Sequence, residues 1–128
     1  MNVIVSDAMT SDIVSIGPAH TLRDASKVMT DRAIGSVVVH DPDGPGPGIL
    51  TERDVVRAVA TGVDLDSASA GDHVTTDSAY GSPGWSLSEA SEAMRRGGFR
   101  HLVVVDGSEV LGIISMRDIV RAWGNNPA

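Results

Sequence analysis

The sequence predicts an α+β fold of two β-α-β-β-α repeats related by a pseudo-twofold axis. Three observations carry this. The 128-residue chain matches itself when slid along by about 65 positions. Each copy runs through the same order of strand and helix patterns. One copy alone cannot cover both faces of its small sheet, whereas two copies packed sheet against sheet can.

The self-match is dense. Asp12, Pro18, Leu22, Ala25, Ser26, Met29, Val38, Val39 and Asp41 fall on Asp77, Pro83, Leu87, Ala90, Ser91, Met94, Val103, Val104 and Asp106 without a gap. After a one-residue change in loop length, GILTERDVVRA (48–58) falls on GIISMRDIVRA (112–122), with seven of eleven positions identical. This reading places repeat 1 at 5–60 and repeat 2 at 72–124. The small, acidic stretch 61–71 is read as a linker.

The elements follow in order. Residues 12–16 form a short extended piece ended by Gly17-Pro18. Leu22, Ala25, Val28 and Met29 share one face of a helix over 21–32. Thr21 with Asp24 reads as a capping box, as does Ser86 with Glu89 in the second copy. SVVVH (36–40) and HLVVV (101–105) are β-branched runs suited to strands buried on both faces. The loop DPDGPGPG (41–48) is turn-rich, and its counterpart Asp106-Gly107 is a hairpin signal. Strands at 48–50 and 110–114 lead into second helices over 51–60 and 115–123. Trp85, just before the Ser86 cap, is placed to staple the helix start toward Ala90.

Composition narrows the function. The net charge is −7, which repels phosphate backbones and disfavours general nucleic-acid binding. No apolar run reaches the length of a membrane span, and the N-terminus does not read as a signal peptide. There are no cysteines, so disulfides, cysteine nucleophiles and Cys-ligated metals are excluded. A cytoplasmic location is expected. The four histidines, His20, His40, His73 and His101, show no metal-ligand spacing. No nucleophile-and-base arrangement appears, so the expectation is that this is not an enzyme.

On these residues the chain resembles a tandem pair of CBS (cystathionine β-synthase) domains, a Bateman module, here expected to stand alone. The resemblance covers nearly the whole chain. Its most specific feature is Gly-apolar-apolar-Ser/Thr-x-x-Asp, present as Gly48-Ile49-Leu50-Thr51-Glu52-Arg53-Asp54 and Gly112-Ile113-Ile114-Ser115-Met116-Arg117-Asp118. The resemblance implies a regulatory module that binds adenosine nucleotides or related adenosyl ligands (AMP, ADP, ATP, S-adenosylmethionine or NAD) in clefts between the repeats, with no other cofactor required. Asp54 and Asp118 would accept from ribose hydroxyls, and Thr51 and Ser115 would donate to phosphate. The chemistry suits them: a carboxylate can accept two bonds from a diol, and a helix N-terminus favours an anion. Arg53 and Arg117 add local positive charge. Thr-x-x-Asp is equally an ordinary helix cap, so capping alone stays open as the role of each box.

By the same resemblance, Ser11, Asp12 and Ile13 with Ile34, Gly35 and Ser36 would line one cleft together with Ser115 and Asp118. Thr76, Asp77 and Ser78 with Phe99, Arg100 and His101 would line the other, together with Thr51 and Asp54. Ile49 and Ile113 would stand beside them. The first of these clefts is expected to be the more occupied, because its edge is small and apolar. A homodimer is expected, since the faces Leu22/Ala25/Met29 and Leu87/Ala90/Met94 look larger than one pair can cover. A regulated protein partner is a further expectation. The alternative is a CBS-type scaffold without ligand.

Overall fold

The computed structural model describes residues 3–125 apart from 42, 45, 76 and 77. It resolves into two compact units. One is Val14–Thr75; the other joins Met1–Ile13 to Thr76–Ala128.

The first of these holds β1 (Ser15–Ile16), α2 (Leu22–Arg32), β2 (Ser36–Val39), β3 (Gly48–Thr51) and α3 (Glu52–Ala60). The other holds α1 (Val5–Ala8), β4 (Ser78–Gly81), α4 (Leu87–Gly97), β5 (His101–Asp106), β6 (Glu109–Ser115) and α5 (Met116–Asn125). Each unit has a three-stranded sheet with its first strand parallel to the middle one and the third antiparallel. The predicted β-α-β-β-α order is therefore present twice.

The middle strands are buried at their centres. Val37, Val38, Leu102, Val103 and Val104 are at most 1% exposed. Alternation sends Val37 and Leu50 to the helix-covered side, where Leu22, Ala25, Met29 and Ala58 meet them. In the second unit Leu102, Val104 and Ile114 do the same with Leu87, Ala90, Met94 and Ile119. Trp85 packs at the margin of this cluster, next to the helix start it was expected to staple.

The faces Leu22/Ala25/Met29 and Leu87/Ala90/Met94 are thus spent inside their own units, with Met29 5% and Met94 1% exposed. This corrects the argument that they are left over for a dimer. The large apolar side chains that do face outward are Val56 and Val59 on α3, Tyr80 on β4, and Met116, Val120 and Trp123 on α5. The 3.6-residue period shows that a helix has an apolar face but not how much of it one sheet consumes.

Residues 61–71, read as a linker, are built into the first unit. Val63, Leu65 and Ala68 pack on its core, and Ala70 is fully buried in a short 3₁₀ turn (Ala70–Asp72). Backbone bonds from Leu22 N to Ala68 O, Ala70 N to His20 O and Gly71 N to Pro18 O fasten it. Arg23 adds an exposed ion pair to Asp66 at 2.8 Å.

The N-terminal arm repeats this arrangement on the second unit. Val5 is fully buried there, and Val5 N donates to Trp85 O and Leu87 N to Val3 O. The end of each arm pairs with the third strand of its unit. Thr10 and Ile113 exchange two backbone bonds, and Thr75 N donates to Ile49 O. Each arm therefore docks on the copy that it does not lead into in sequence.

Candidate functional site

All four capping boxes form, but they are not alike. At α2 Asp24 accepts from Thr21 N at 3.1 Å, and bonds from the Thr21 backbone and then its side chain hold the carboxyl below its ordinary value; at α4 Glu89 accepts from Ser86 N at 3.5 Å. At α3, Asp54 Oδ2 accepts from Thr51 N and from Thr51 Oγ1, both at 2.8 Å, and Asp54 N donates back to Thr51 Oγ1 at 3.3 Å. At α5, Asp118 Oδ2 accepts from Ser115 N at 2.8 Å and Ser115 Oγ at 3.0 Å, and Asp118 N donates back at 3.2 Å. A carboxylate has no proton to give, so each hydroxyl hydrogen is aimed at the aspartate. Donation to a phosphate would require that hydroxyl to rotate away.

These two boxes are also the sheltered ones. Thr51 and Asp54 are each 8% exposed, and the Asp118 side chain 11%. Only Oδ2 enters either box, so Oδ1 is the oxygen that remains for other work.

Helix starts leave backbone N–H groups without intrahelical partners. At α2 they are covered: Leu22 N by Ala68 O, Arg23 N by Leu65 O and Asp24 N by Thr21 Oγ1. At α3, Glu52 N donates to Gly35 O and Asp54 N to Thr51 Oγ1, which leaves Arg53 N–H open among the described residues. At α5, Met116 N donates to Arg100 O and Asp118 N to Ser115 Oγ, which leaves Arg117 N–H open in the same way. Each of these ends couples one open N–H at the positive end of a helix to a sheltered carboxylate. That pairing suits a ligand with both an anionic group and a hydroxyl.

The two Gly-apolar-apolar segments lead into these ends for a physical reason. Ile49 and Leu50 are fully buried in β3, as are Ile113 (7% exposed) and Ile114 (0%) in β6. The third strand runs straight into the helix, so its buried end places the cap residue at the sheet's margin.

Within each unit the expected site residues gather by copy. Ser36 sits opposite Thr51 in the register, and the Gly35 carbonyl holds the first turn of α3. Ser78, His101 and Ser115 lie in one row across β4, β5 and β6, and the Arg100 carbonyl holds the first turn of α5. His101 Nδ1 is buried without a hydrogen-bond partner among the described residues. Ile34 and Phe99 are half-buried, and the Phe99 ring lies over Gly97, where a Cβ would collide with it. Ser11 and Asp12 are exposed and Ile13 half-buried, in the unit that does not contain Ile34, Gly35 and Ser36. Thr76 and Asp77 lie outside the described residues. The side chains of Arg53 and Arg117 are exposed.

Sequence reasoning missed Arg121, whose Nη1 stands 3.6 Å from Asp118 Oδ1. The signal was present, as Asp-x-x-Arg recurs at Asp54/Arg57 and Asp118/Arg121, three apart on a helix. Among the described residues no group of three or more potential metal ligands comes together. No described helix is long and apolar enough to cross a membrane.

The sequence profile of the CBS domain matches residues 5–61 and 70–125. A CBS domain-containing protein of Bacillus subtilis is 30% identical over 126 residues, covering 97% of this chain and 89% of that protein. A CBS domain protein of Pyrobaculum aerophilum, solved in complex with AMP, superposes with a TM-score of 0.79 at 28% identity, covering 96% of this chain and 99% of that one. The arabinose 5-phosphate isomerase of Yersinia pestis is 31% identical over 120 residues, which cover 92% of this chain and 37% of that enzyme.

Proposed function

We propose that this chain, which belongs to the CBS-domain family and carries that domain twice, uses its regulatory module to bind adenosyl ligands at the N-terminal ends of α3 and α5. A CBS pair is a regulatory module and is not itself catalytic. The ligand class is adenine nucleotide (AMP, ADP or ATP), with S-adenosylmethionine and NAD as related candidates. One observation carries the reading. Each of these two helix ends has a sheltered aspartate whose Oδ2 accepts two bonds from its cap residue while its backbone N–H donates a third to the cap hydroxyl, whereas the carboxylates of the other two repeat helices, Asp24 and Glu89, are exposed. Pinning holds the carboxylate in one orientation, so little entropy is lost when Oδ1 accepts a ribose hydroxyl. The open N–H of Arg53 or Arg117 serves the anionic end. The AMP complex of the Pyrobaculum protein supports the ligand class.

A second role is favoured by a separate observation. Met116, Val120 and Trp123 lie at a four- and three-residue spacing on α5, and all three are exposed. An apolar stripe of this kind fits self-association, and we read the chain as a homodimer that presents its ligand state to a protein partner.

A thermal-shift screen with adenosine, AMP, ADP, ATP, S-adenosylmethionine and NAD tests the ligand reading. A ligand held at 100 times its Kd should add about 2.7 kcal/mol to stability. No shift from any of them would leave only the scaffold role.

A further inference from the structure

The two aspartates are not held alike. In both boxes Oδ2 is engaged by the cap, so Oδ1 must receive the ligand's hydroxyl. Asp54 Oδ1 has no partner among the described residues, although Arg57 stands three residues on, just as Arg121 does from Asp118. Asp118 Oδ1 has the Arg121 guanidinium 3.6 Å away. The two carboxylates are otherwise similarly sheltered, Asp54 being 8% exposed and the Asp118 side chain 11%.

We infer that the two half-sites fill in sequence, Asp54 first, with Arg121 acting as a positioning residue that holds the Asp118 half-site back. This rests on the ligand reading above and deepens it. The Arg121 guanidinium lies beyond hydrogen-bond distance of Oδ1, but as an ion pair it draws on the carboxylate charge that a neutral ribose hydroxyl would bond to, so the bond formed at Asp118 is the weaker one. At Asp54 no such ion pair forms among the described residues. Arg121 is 64% exposed, which keeps the effect modest: roughly two- to fivefold in affinity, the range of an exposed ion pair. This order runs opposite to the one expected from the small, apolar edge at Ile34 and Gly35. A module filled in this sequence responds over a wider range of ligand concentration than one with equal sites.

Calorimetric titration of the full chain with AMP tests this, using the native protein, Asp54→Asn, Asp118→Asn, Arg121→Gln and Arg121→Lys. Melting curves establish first that each variant is folded. The native chain should bind in two phases. Asp54→Asn should remove the tighter phase and Asp118→Asn the weaker. Arg121→Gln should tighten the weaker phase two- to fivefold and leave the tighter one unchanged, while Arg121→Lys keeps the native pattern. Loss of the tighter phase in Asp118→Asn would overturn the order. Weakening, or no change, of the second phase in Arg121→Gln would overturn the role of Arg121, and that exposed side chain can be changed without disturbing the core. Absence of AMP binding by the folded native chain would overturn this inference, and absence of binding by every ligand of the thermal-shift screen would overturn the ligand reading with it.

Discussion

Gly112→Ala should detach the N-terminal arm from β6. A Cβ at Gly112 would stand 2.5 Å from the Thr10 carbonyl oxygen and 2.8 Å from Met9 Sδ. The first contact is with backbone and has no rotamer to relieve it. Relief requires Thr10 to move, which breaks the two bonds it exchanges with Ile113 at 2.8 and 3.0 Å. Those bonds are worth about 1 kcal/mol each, and overpacking adds about 1–3 kcal/mol. The lost flexibility of glycine in the unfolded chain returns about 0.4–1 kcal/mol. The net cost is about 2–4 kcal/mol, a fall in Tm on the order of 10 °C at this chain length. Gly48 occupies the equivalent place in the other unit and supplies the control. Its Cβ would meet the Val74 side chain, at 3.3 Å from Cγ1, 3.4 Å from Cβ and 3.6 Å from Cγ2, contacts that a shift of a few tenths of an ångström relieves. Gly48→Ala should therefore cost less than about 1 kcal/mol, because the strain and the entropic gain are similar in size. Circular dichroism melts measure the difference, and hydrogen exchange at the Thr10 and Ile113 amides locates it. Equal destabilisation by the two substitutions, or full protection at Ile113 in Gly112→Ala, would refute the reasoning.

Met94→Glu should unfold the second unit, since the position is 1% exposed and an unpaired buried charge is costly; a folded protein whose only defect is a smaller mass by light scattering would contradict this. Val120→Glu, at a position 62% exposed, should leave the melting temperature unchanged and lower the mass in solution, with an unchanged mass counting against association through α5. Thr51→Ala should cost about 1–2 kcal/mol by removing the cap of α3, and Thr51→Ser should restore most of it, as read by chemical denaturation. Glu92 is lowered from the usual 4.5 to about 2 by hydrogen bonds from Arg95 and then Arg96. Its contribution to stability is present above the ordinary carboxylate range and is lost as pH falls toward about 2. Carbon-detected NMR titration should find it charged at pH 3, and the double variant Arg95→Gln, Arg96→Gln should titrate near the usual value.

The repeat and its element order were legible because both are local properties. Periods of two and 3.6 show directly in SVVV and in Leu22/Ala25/Met29, and a capping box needs only two residues three apart. The helix bounds were read to within two residues for the same reason. Asp54 and Asp118 could be named as candidates too, because they close a Gly-apolar-apolar-Ser/Thr-x-x-Asp stretch that occurs in both copies. What the sequence did not show was which boxes matter. Thr21/Asp24 and Thr51/Asp54 are the same pattern in letters. They differ in three dimensions because the carbonyls of Leu65 and Ala68, far along the chain, close the N-terminus of α2. No local pattern carries that information.

The arms make the same point. Residues 61–71 look like a linker because they are small and acidic, and the sequence before Thr10 carries no clear period. Both were nonetheless partly written in the offset, as Val5 and Asp7 fall on Ala70 and Asp72. Only tertiary structure assigned each arm to the copy it does not precede, because burial of Val5 and Ala70 depends on which surface is within reach. The same holds for the apolar helix faces: their existence is a property of sequence, but whether a sheet consumes them is a property of packing. By itself the sequence determined two units of β-α-β-β-α order and two aspartates at helix starts. Tertiary contacts decided which N–H groups stay open, which carboxylate oxygen is already engaged and which apolar side chains remain outside, because each depends on atoms brought close by folding rather than by chain order.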